Sequence, residues 1–233
     1  MKSGPLPVLS DLELIAERLP VAGARLLELG CGRAETTRRI AEQLPVAEII
    51  ATEVDRAQHE KNLRISDLPR ASFRLGGIEA IAEADDSVDA VIMLKSLHHV
   101  PQPRLRQGLA EIHRVLRPGG IAYFSEPVYA GEFNDILKLF HDERDVRIAA
   151  FEALQTAVDE GLFILEDEIF FDSISRFQGF EEFEDRVLGA THTEFAIDEV
   201  LYATIRDRFM QHAGEDGVAE FRNPNRADLL RKP

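Results

Sequence analysis

The sequence predicts an α/β fold built on a mostly parallel sheet. From residue 25 onward, short apolar runs alternate with helical patterns. Strands separated by helices are joined by right-handed crossovers into a parallel sheet. At the end of the sequence, two more short runs are joined by a turn, which predicts an antiparallel hairpin at the sheet edge. We therefore expect seven strands, five of them parallel.

Each predicted parallel strand is a short apolar run. The five runs are Arg25 to Leu29, Ile49 to Thr52, Ala71 to Leu75, Ala90 to Leu94 and Ile121 to Ser125. Helices are predicted after Ser10, which is a favourable N-cap, from about Ala34, and after the second strand. Before the fifth strand, residues 104 to 116 repeat apolar residues at helical spacing, and the helix ends before Pro118 and Gly119.

The hairpin is predicted from Val218 to Phe221 and from Ala227 to Leu230, joined by Asn223-Pro224-Asn225. Residues 130 to 216 form an insertion between strands 5 and 6. Helices are predicted there near 132 to 142, 144 to 160, 180 to 188 and 197 to 212. A single crossover helix needs far fewer residues, so we expect this insertion to be a helical cap over the strand ends. The alternative is an inert decoration or a surface for a homodimer.

Composition limits the classes of function. The 233 residues are 45% hydrophobic, which predicts a single domain over 1 to 233 that carries the insertion. A formal net charge of -15 disfavours nucleic acid and anionic membrane surfaces as partners. Cys31 is the only cysteine, which fits a reducing compartment. Since the sequence shows no signal peptide and no apolar run of ~20 residues, we expect a cytoplasmic protein.

The most informative segment is an apolar strand that leads directly into a glycine turn at the head of a helix. Gly30 and Gly32 allow the backbone to turn and to approach a ligand. Dinucleotide-binding folds use the same turn for a pyrophosphate. However, Glu28 would repel a pyrophosphate and attract an ammonium or sulfonium, and Glu35 stands where the third glycine of G-x-G-x-x-G would fall. Both observations favour a ligand with positive charge.

With this motif the sequence resembles class I methyltransferases that depend on S-adenosylmethionine (SAM), especially the small-molecule group that includes quinone-biosynthesis enzymes. Their first motif is E/D-x-G-x-G. The resemblance covers about residues 20 to 127 and the final hairpin. It implies a Rossmann-like sheet, SAM as cofactor, S-adenosylhomocysteine as product and a small-molecule methyl acceptor. Cys31, which lies within the turn, is then expected beside the cofactor.

The resemblance also assigns residues to the nucleoside part of SAM. Asp55 follows the second strand, about 20 residues beyond the glycine turn, where a carboxylate accepts hydrogen bonds from both ribose hydroxyls; Glu53 is a competing candidate. After the third strand the family usually has Gly-Asp-Ala-Glu, in which the Asp holds the adenine amino group. Gly77 stands at that Asp position, followed by Ile78 and Glu79. The Ile78 backbone contact is expected to remain, while the carboxylate contact is either lost or moved to Glu79.

Other residues are candidates for the methionine and acceptor sides of the site. Lys95 ends the fourth strand, where the family backbone contacts the methionine part of SAM. His98 and His99 follow in the loop that borders the transferring methyl, so either is a candidate general base or a packing residue. Tyr129 follows the fifth strand and is a candidate for positioning the acceptor. Adjacent histidines rarely converge on one ion, so no metal is predicted.

Two other functions remain open. A SAM-binding protein without catalysis, acting as a sensor or a partner subunit, is compatible with Gly77 in place of aspartate. An NAD-dependent oxidoreductase on a similar sheet is disfavoured by Glu28 and by the missing third glycine.

Overall fold

The computed structural model of the chain describes residues 5–189 and 195–233. Its helices are α1 (Asp11–Arg18), α2 (Glu35–Gln43), α3 (Arg56–Asn62), α4 (Gln102–Val115), α5 (Glu132–Leu137), α6 (Arg144–Asp159), α7 (Phe180–Phe183) and α8 (Glu199–Met210). A 3-10 turn covers Leu97–His99 and a π turn covers Glu184–Leu188. Within those two described ranges, none of the helices has the length and apolar character that crossing a membrane requires.

The strands form one seven-stranded sheet. They are β1 (Arg25–Leu29), β2 (Glu48–Glu53), β3 (Ala71–Leu75), β4 (Val88–Leu94), β5 (Leu116–Pro127), β6 (Ile164–Phe177) and β7 (Ala219–Arg231), in the order β3-β2-β1-β4-β5-β7-β6. The first five are parallel, with Leu27 opposite Ile50 on β2 and Val91 on β4. The strand order reverses between β1 and β4, and ligands of open α/β sheets bind at such a switch point.

The predicted fold class is confirmed, but the two antiparallel strands are not the two short runs that were predicted. The predicted hairpin within the last segment is wrong, because β7 runs unbroken through Asn223-Pro224-Asn225. Pro224 lacks an N–H, yet its carbonyl accepts a hydrogen bond from the Val128 N–H at 2.9 Å, so the extended chain continues past the proline. β6, the other antiparallel strand, lies inside the insertion that was predicted to be helical.

The chain divides into two compact units, and β6 and β7 contribute residues to both. The larger unit consists of Leu9–Glu126, Val146–Ile169 and Arg226–Pro233, and the smaller unit of Met1–Val8, Pro127–Asp145 and Phe170–Asn225. Most of the insertion at 130 to 216 belongs to the smaller unit, except that 146 to 169, with most of α6, belongs to the larger one. Residues 190 to 194 of the insertion lie outside the described residues.

Each unit has its own hydrophobic core. In the larger unit, apolar residues of the parallel strands pack against α4 and α6, and the residues contributed by α6 are Ala150, Leu154 and Ala157. In the smaller unit, phenylalanine rings fill the core, and the centroids of Phe183 and Phe209 lie 5.1 Å apart. Offset and edge-to-face ring packing of this kind stabilises a core beyond the area that it buries.

The predicted N-cap of α1 is confirmed. The Ser10 hydroxyl accepts a hydrogen bond from the Glu13 N–H at 3.3 Å, and the Glu13 carboxylate accepts one from the Ser10 N–H at 2.7 Å. This reciprocal capping box satisfies two backbone donors at the start of the helix.

Candidate active site

The glycine turn follows β1 at the carboxyl end of the sheet. Gly30 and Gly32 have φ angles of +77° and +52°, in the left-handed region that favours glycine. The N–H groups of Gly30 and Cys31 donate to the Thr52 carbonyl on β2, at 3.0 and 2.9 Å. An ideal Cβ on Gly30 would lie only 2.9 Å from the Cβ of Ser96, after β4. The turn therefore lies closely packed between the ends of β2 and β4, the two strands that flank β1.

Substituting Gly30 by alanine is expected to destabilise the protein much more than the same change at Gly23. Both glycines have positive φ, which costs an alanine about 1 kcal/mol or somewhat more. Gly23 has no atom within 4 Å of an ideal Cβ, whereas Gly30→Ala also overlaps Ser96, for a total of roughly 3 kcal/mol. Urea unfolding of the two variants measures the difference. Equal losses of unfolding free energy would show that the backbone at Gly30 is not closely packed.

Glu28 is a buried acid at the end of β1. It is 3% exposed, and its carboxylate accepts a hydrogen bond from the Thr37 hydroxyl on α2 at 2.5 Å. Burial raises the pKa of the Glu28 carboxyl from 4.5 to about 7, although the Thr37 hydrogen bond opposes part of this rise. Near neutral pH the group is therefore poised between its two forms, and a nearby cation would favour the ionised one.

The raised pKa of Glu28 predicts a loss of stability with rising pH. Below pH 4.5 Glu28 is protonated in both the folded and the unfolded state, so the folded protein has its full stability. Between pH 4.5 and about 7 the carboxyl ionises freely only in the unfolded state. The free energy of unfolding therefore falls as pH rises through about 7. At about 1.4 kcal/mol per pKa unit the loss is about 3 kcal/mol. Glu28→Gln cannot ionise and should retain a melting temperature roughly 5 °C or more above that of the natural protein at pH 8.5, with little difference at pH 5.

The control for this prediction is Glu60→Gln, which neutralises an exposed glutamate on α3. Its melting temperature should follow that of the natural protein at both pH values. If Glu28→Gln also follows the natural protein, the burial of an ionising Glu28 has no measurable effect on stability.

Two carboxylates, Glu53 and Asp55, lie at the end of β2 and just beyond it, and they accept hydrogen bonds from different groups. Glu53, at the end of β2 and 8% exposed, accepts a hydrogen bond from the Gly32 N–H at 2.8 Å through Oε2. Asp55 is instead the N-cap of α3, and its Oδ1 accepts from the N–H groups of Ala57 and Gln58 at 2.8 and 3.3 Å. The carboxylate that adjoins the glycine turn is thus Glu53, because Asp55 is engaged by the helix.

The loop after β3 brings a carboxylate to the position that Gly77 leaves empty. An ideal Cβ on Gly77 would lie 2.5 Å from Glu79 Oε2 and 3.0 Å from Val54 Cγ1. Val54 is 67% exposed, while Ile78 is buried against α4, where an ideal Cβ on Gly108 would come within 2.5 Å of it. The segments that follow β2 and β3 therefore present an exposed apolar side chain, Val54, and a carboxylate, Glu79, next to each other.

The turn after β4 adjoins the glycine turn. Lys95 has a φ of +52° and an exposed side chain. The Ser96 hydroxyl donates to the Leu29 carbonyl on β1 at 3.1 Å. His98 is buried and contacts Glu126 at the end of β5, whereas His99 is exposed. Lys95 and both histidines thus lie in the turn next to the glycines, and their side chains have different surroundings.

Residues 26–120 contain all of these features except Glu126, and they match the family described as a methyltransferase domain. Over these residues the chain is similar to methyltransferase domains.

Relatives of known sequence agree with this assignment. The chain is 36% identical over 108 residues to an uncharacterized methyltransferase of Mycobacterium tuberculosis, a match that covers 46% of this chain and 42% of that protein. It is 32% identical over 127 residues to a ubiquinone biosynthesis O-methyltransferase of Xanthomonas oryzae, covering 52% of this chain and 51% of that protein. The matches thus span about half, or less, of the length of these relatives.

A solved structure shares this fold. The YcgJ protein from Bacillus subtilis superposes with a TM-score of 0.65, covering 95% of this chain and 97% of that one, at 17% sequence identity. At this identity the likeness concerns the fold alone.

Three polar contacts near the glycine turn were not predicted from the sequence. Besides Thr37 and Glu126, Asn62 on α3 donates through its amide to the Gly32 carbonyl at 2.8 Å and to Cys31 Sγ at 3.4 Å. Burial, reinforced by the carboxylates of Glu28 and Glu53, raises the pKa of the Cys31 thiol far above its usual range. This thiol is therefore a poor nucleophile, as expected for a packing residue.

Tyr129 belongs to the smaller unit. Burial, followed by a hydrogen bond with the Asp142 carboxylate, raises the pKa of its phenol. At neutral pH this tyrosine is therefore a neutral hydroxyl engaged with an acid of its own unit.

Proposed function

We propose that this chain is a SAM-dependent methyltransferase that acts on a small-molecule acceptor. The observation that carries the proposal is the glycine turn flanked by two buried carboxylates, Glu28 and Glu53, at the switch point of the sheet. Such a turn brings backbone N–H groups close to a ligand, and the two acids favour a ligand that is cationic and rich in hydrogen-bond donors.

The residues present fit the parts of SAM in order along the edge of the sheet. Glu28 and the backbone at Lys95 are assigned to the methionine end, whose ammonium and sulfonium charges favour ionised Glu28. Glu53 is assigned to the ribose hydroxyls, which donate to a carboxylate. The exposed side chain of Val54 and the Glu79 carboxylate are assigned to the apolar face and the amino group of adenine. Asp55, the initial candidate for the ribose, is not retained because it caps α3.

When bound, SAM supplies an electrophilic methyl group on a sulfonium. The protein then has to hold the acceptor in line, keep water out and accept a proton if the attacking atom carries one. His98 and His99 stand beside the glycine turn and are the candidates for that last role. The formal charge of -15 favours an acceptor that is neutral or cationic.

The first test is isothermal titration of the protein with SAM, S-adenosylhomocysteine and NAD(H). Micromolar affinity for SAM and its product, without heat from NAD(H), is the expected result. Binding of NAD(H) alone would support an oxidoreductase, and absence of SAM binding would overturn the cofactor assignment.

The second test is turnover. The protein is incubated with methyl-labelled SAM and a panel of small phenols, alcohols and amines, and release of S-adenosylhomocysteine is measured by mass spectrometry. Product release that depends on one acceptor is the expected outcome. Tight SAM binding without release across the panel would favour a non-catalytic SAM-binding protein.

A further inference from the structure

One carboxylate organises the turn after β4. Glu126 is the second-last residue of β5 and is 6% exposed. Its Oε1 accepts hydrogen bonds from the N–H groups of Ser96 and Leu97, at 3.1 and 2.9 Å. Its other oxygen, Oε2, contacts Nδ1 of His98, whose side chain is equally buried. A single acid thus binds both the backbone and the imidazole of the same turn.

These contacts determine where the imidazole carries its proton. An ionised carboxylate only accepts hydrogen bonds, so the Nδ1 that faces Glu126 has to donate. In a neutral imidazole the lone pair then lies on the opposite nitrogen, Nε2. An acid that orients a histidine through Nδ1 and leaves Nε2 as the basic atom is the arrangement that general-base histidines use in other enzymes.

The turn after β4 is also held next to the glycine turn. The Ser96 hydroxyl donates to the Leu29 carbonyl, and Ser96 Cβ lies 2.9 Å from an ideal Cβ on Gly30. Movement of Glu126 would therefore displace His98 relative to the glycine turn. His99 is exposed, and its ring centroid lies 4.1 Å from that of His98; the histidine that contacts Glu126 is His98.

We propose that Glu126 is the positioning residue of a Glu126–His98 pair in which Nε2 of His98 takes a proton from the methyl acceptor. This inference rests on the proposed function. It implies an acceptor whose attacking oxygen or nitrogen bears a hydrogen. The new bond from that atom to the methyl carbon forms as the carbon–sulfur bond breaks, the electron pair of the broken bond stays on sulfur, and the acceptor's proton passes to Nε2.

The test of positioning is the proton location on His98, which does not require an acceptor. The protein is labelled with ¹⁵N-histidine, and the His98 signals are assigned by their loss in His98→Gln. We expect the Nδ1–H tautomer in the natural protein and its loss in Glu126→Gln, whose amide can donate to Nδ1. The control is Glu83→Gln, which neutralises another buried acid, paired with Arg74; it should leave the His98 tautomer unchanged.

The test of catalysis uses the acceptor that the turnover panel identifies. Glu126→Gln and His98→Gln should each lower kcat about 100-fold or more while the affinity for SAM stays within about threefold. The proposal is overturned if His98 of the natural protein carries its proton on Nε2, or if Glu126→Gln retains both tautomer and kcat. These outcomes are separate from failure of the proposed function, which would appear as loss of SAM binding in the natural protein.

Discussion

Glu53→Gln is expected to lower the affinity for SAM about 100-fold, whereas Asp55→Asn is expected to leave it within about threefold. Hydrogen bonds to a charged group contribute about 1.5 to 3 kcal/mol each, and the Glu53 carboxylate is assigned two of them from the ribose. The glutamine has the same shape but lacks the charge, and it directs a donor at one of the groups that Glu53 now accepts from, such as the Gly32 N–H.

The two substitutions form a matched pair, because each replaces an acid by its amide and the positions are two residues apart. Asparagine is as good an N-cap as aspartate, so Asp55→Asn should keep the start of α3 and the stability of the protein. Isothermal titration with SAM measures both affinities. A large loss for Asp55→Asn together with a small one for Glu53→Gln would return the ribose role to Asp55.

The sequence alone narrowed the ribose-binding acid to two candidates, Glu53 and Asp55. The spacing from the glycine turn allowed both positions. The sequence also contained a signal that separates them, since Asp55 immediately precedes the helix at Arg56 and aspartate is a preferred cap. A carboxylate that caps a helix is directed at that helix, which leaves the acid at the strand end to face the turn.

The parallel half of the sheet was predictable because buried strands are short apolar runs between caps and glycine turns. The predicted β1 and β3 coincide with the observed ones, and β2 and β4 differ by at most two residues at an end. β6 was missed because its acidic and apolar residues do not alternate regularly, and much of it is exposed. β7 was divided in two because Asn-Pro-Asn is typical of turns, whereas pairing with neighbouring strands keeps it extended.

Contacts between distant segments could not be predicted at all. His98 and Glu126 meet because β4 and β5 pair in parallel register, with Leu94 opposite Ser125, so that the turn after β4 comes next to the last residues of β5. Nothing in the local pattern around either residue indicates the other. Their pairing follows from the register of the sheet, which one sequence does not specify.

The loop after β3 contains the carboxylate that is assigned to the amino group of adenine. The resemblance left two alternatives for the acid that is absent at Gly77: loss, or replacement by Glu79. In the structure Glu79 Oε2 lies 2.5 Å from where a Cβ of residue 77 would be. The Glu79 carboxylate therefore occupies the space of the missing side chain, and a side chain at 77 would displace it.

Glu79→Ala is accordingly expected to weaken binding of S-adenosylhomocysteine by about 10- to 100-fold, the effect of losing one hydrogen bond to a charged group. The weakening should be much smaller for the inosine analogue, because its base has a carbonyl in place of the amino group and gains nothing from a carboxylate. Isothermal titration with both ligands measures this difference directly. Equal losses of affinity for the two ligands would mean that Glu79 does not bind the amino group.

The double variant Gly77→Asp/Glu79→Ala tests whether the Glu79 carboxylate takes the place of the aspartate that is absent at position 77. If the two positions share one space, an aspartate at 77 can enter it only after the Glu79 side chain is removed, so the double variant should recover most of the affinity that Glu79→Ala loses. Gly77→Asp alone should bind no better than the natural protein, since two carboxylates would then compete for one site and repel each other. Additive losses in the double variant would refute the exchange, because independent positions do not compensate each other.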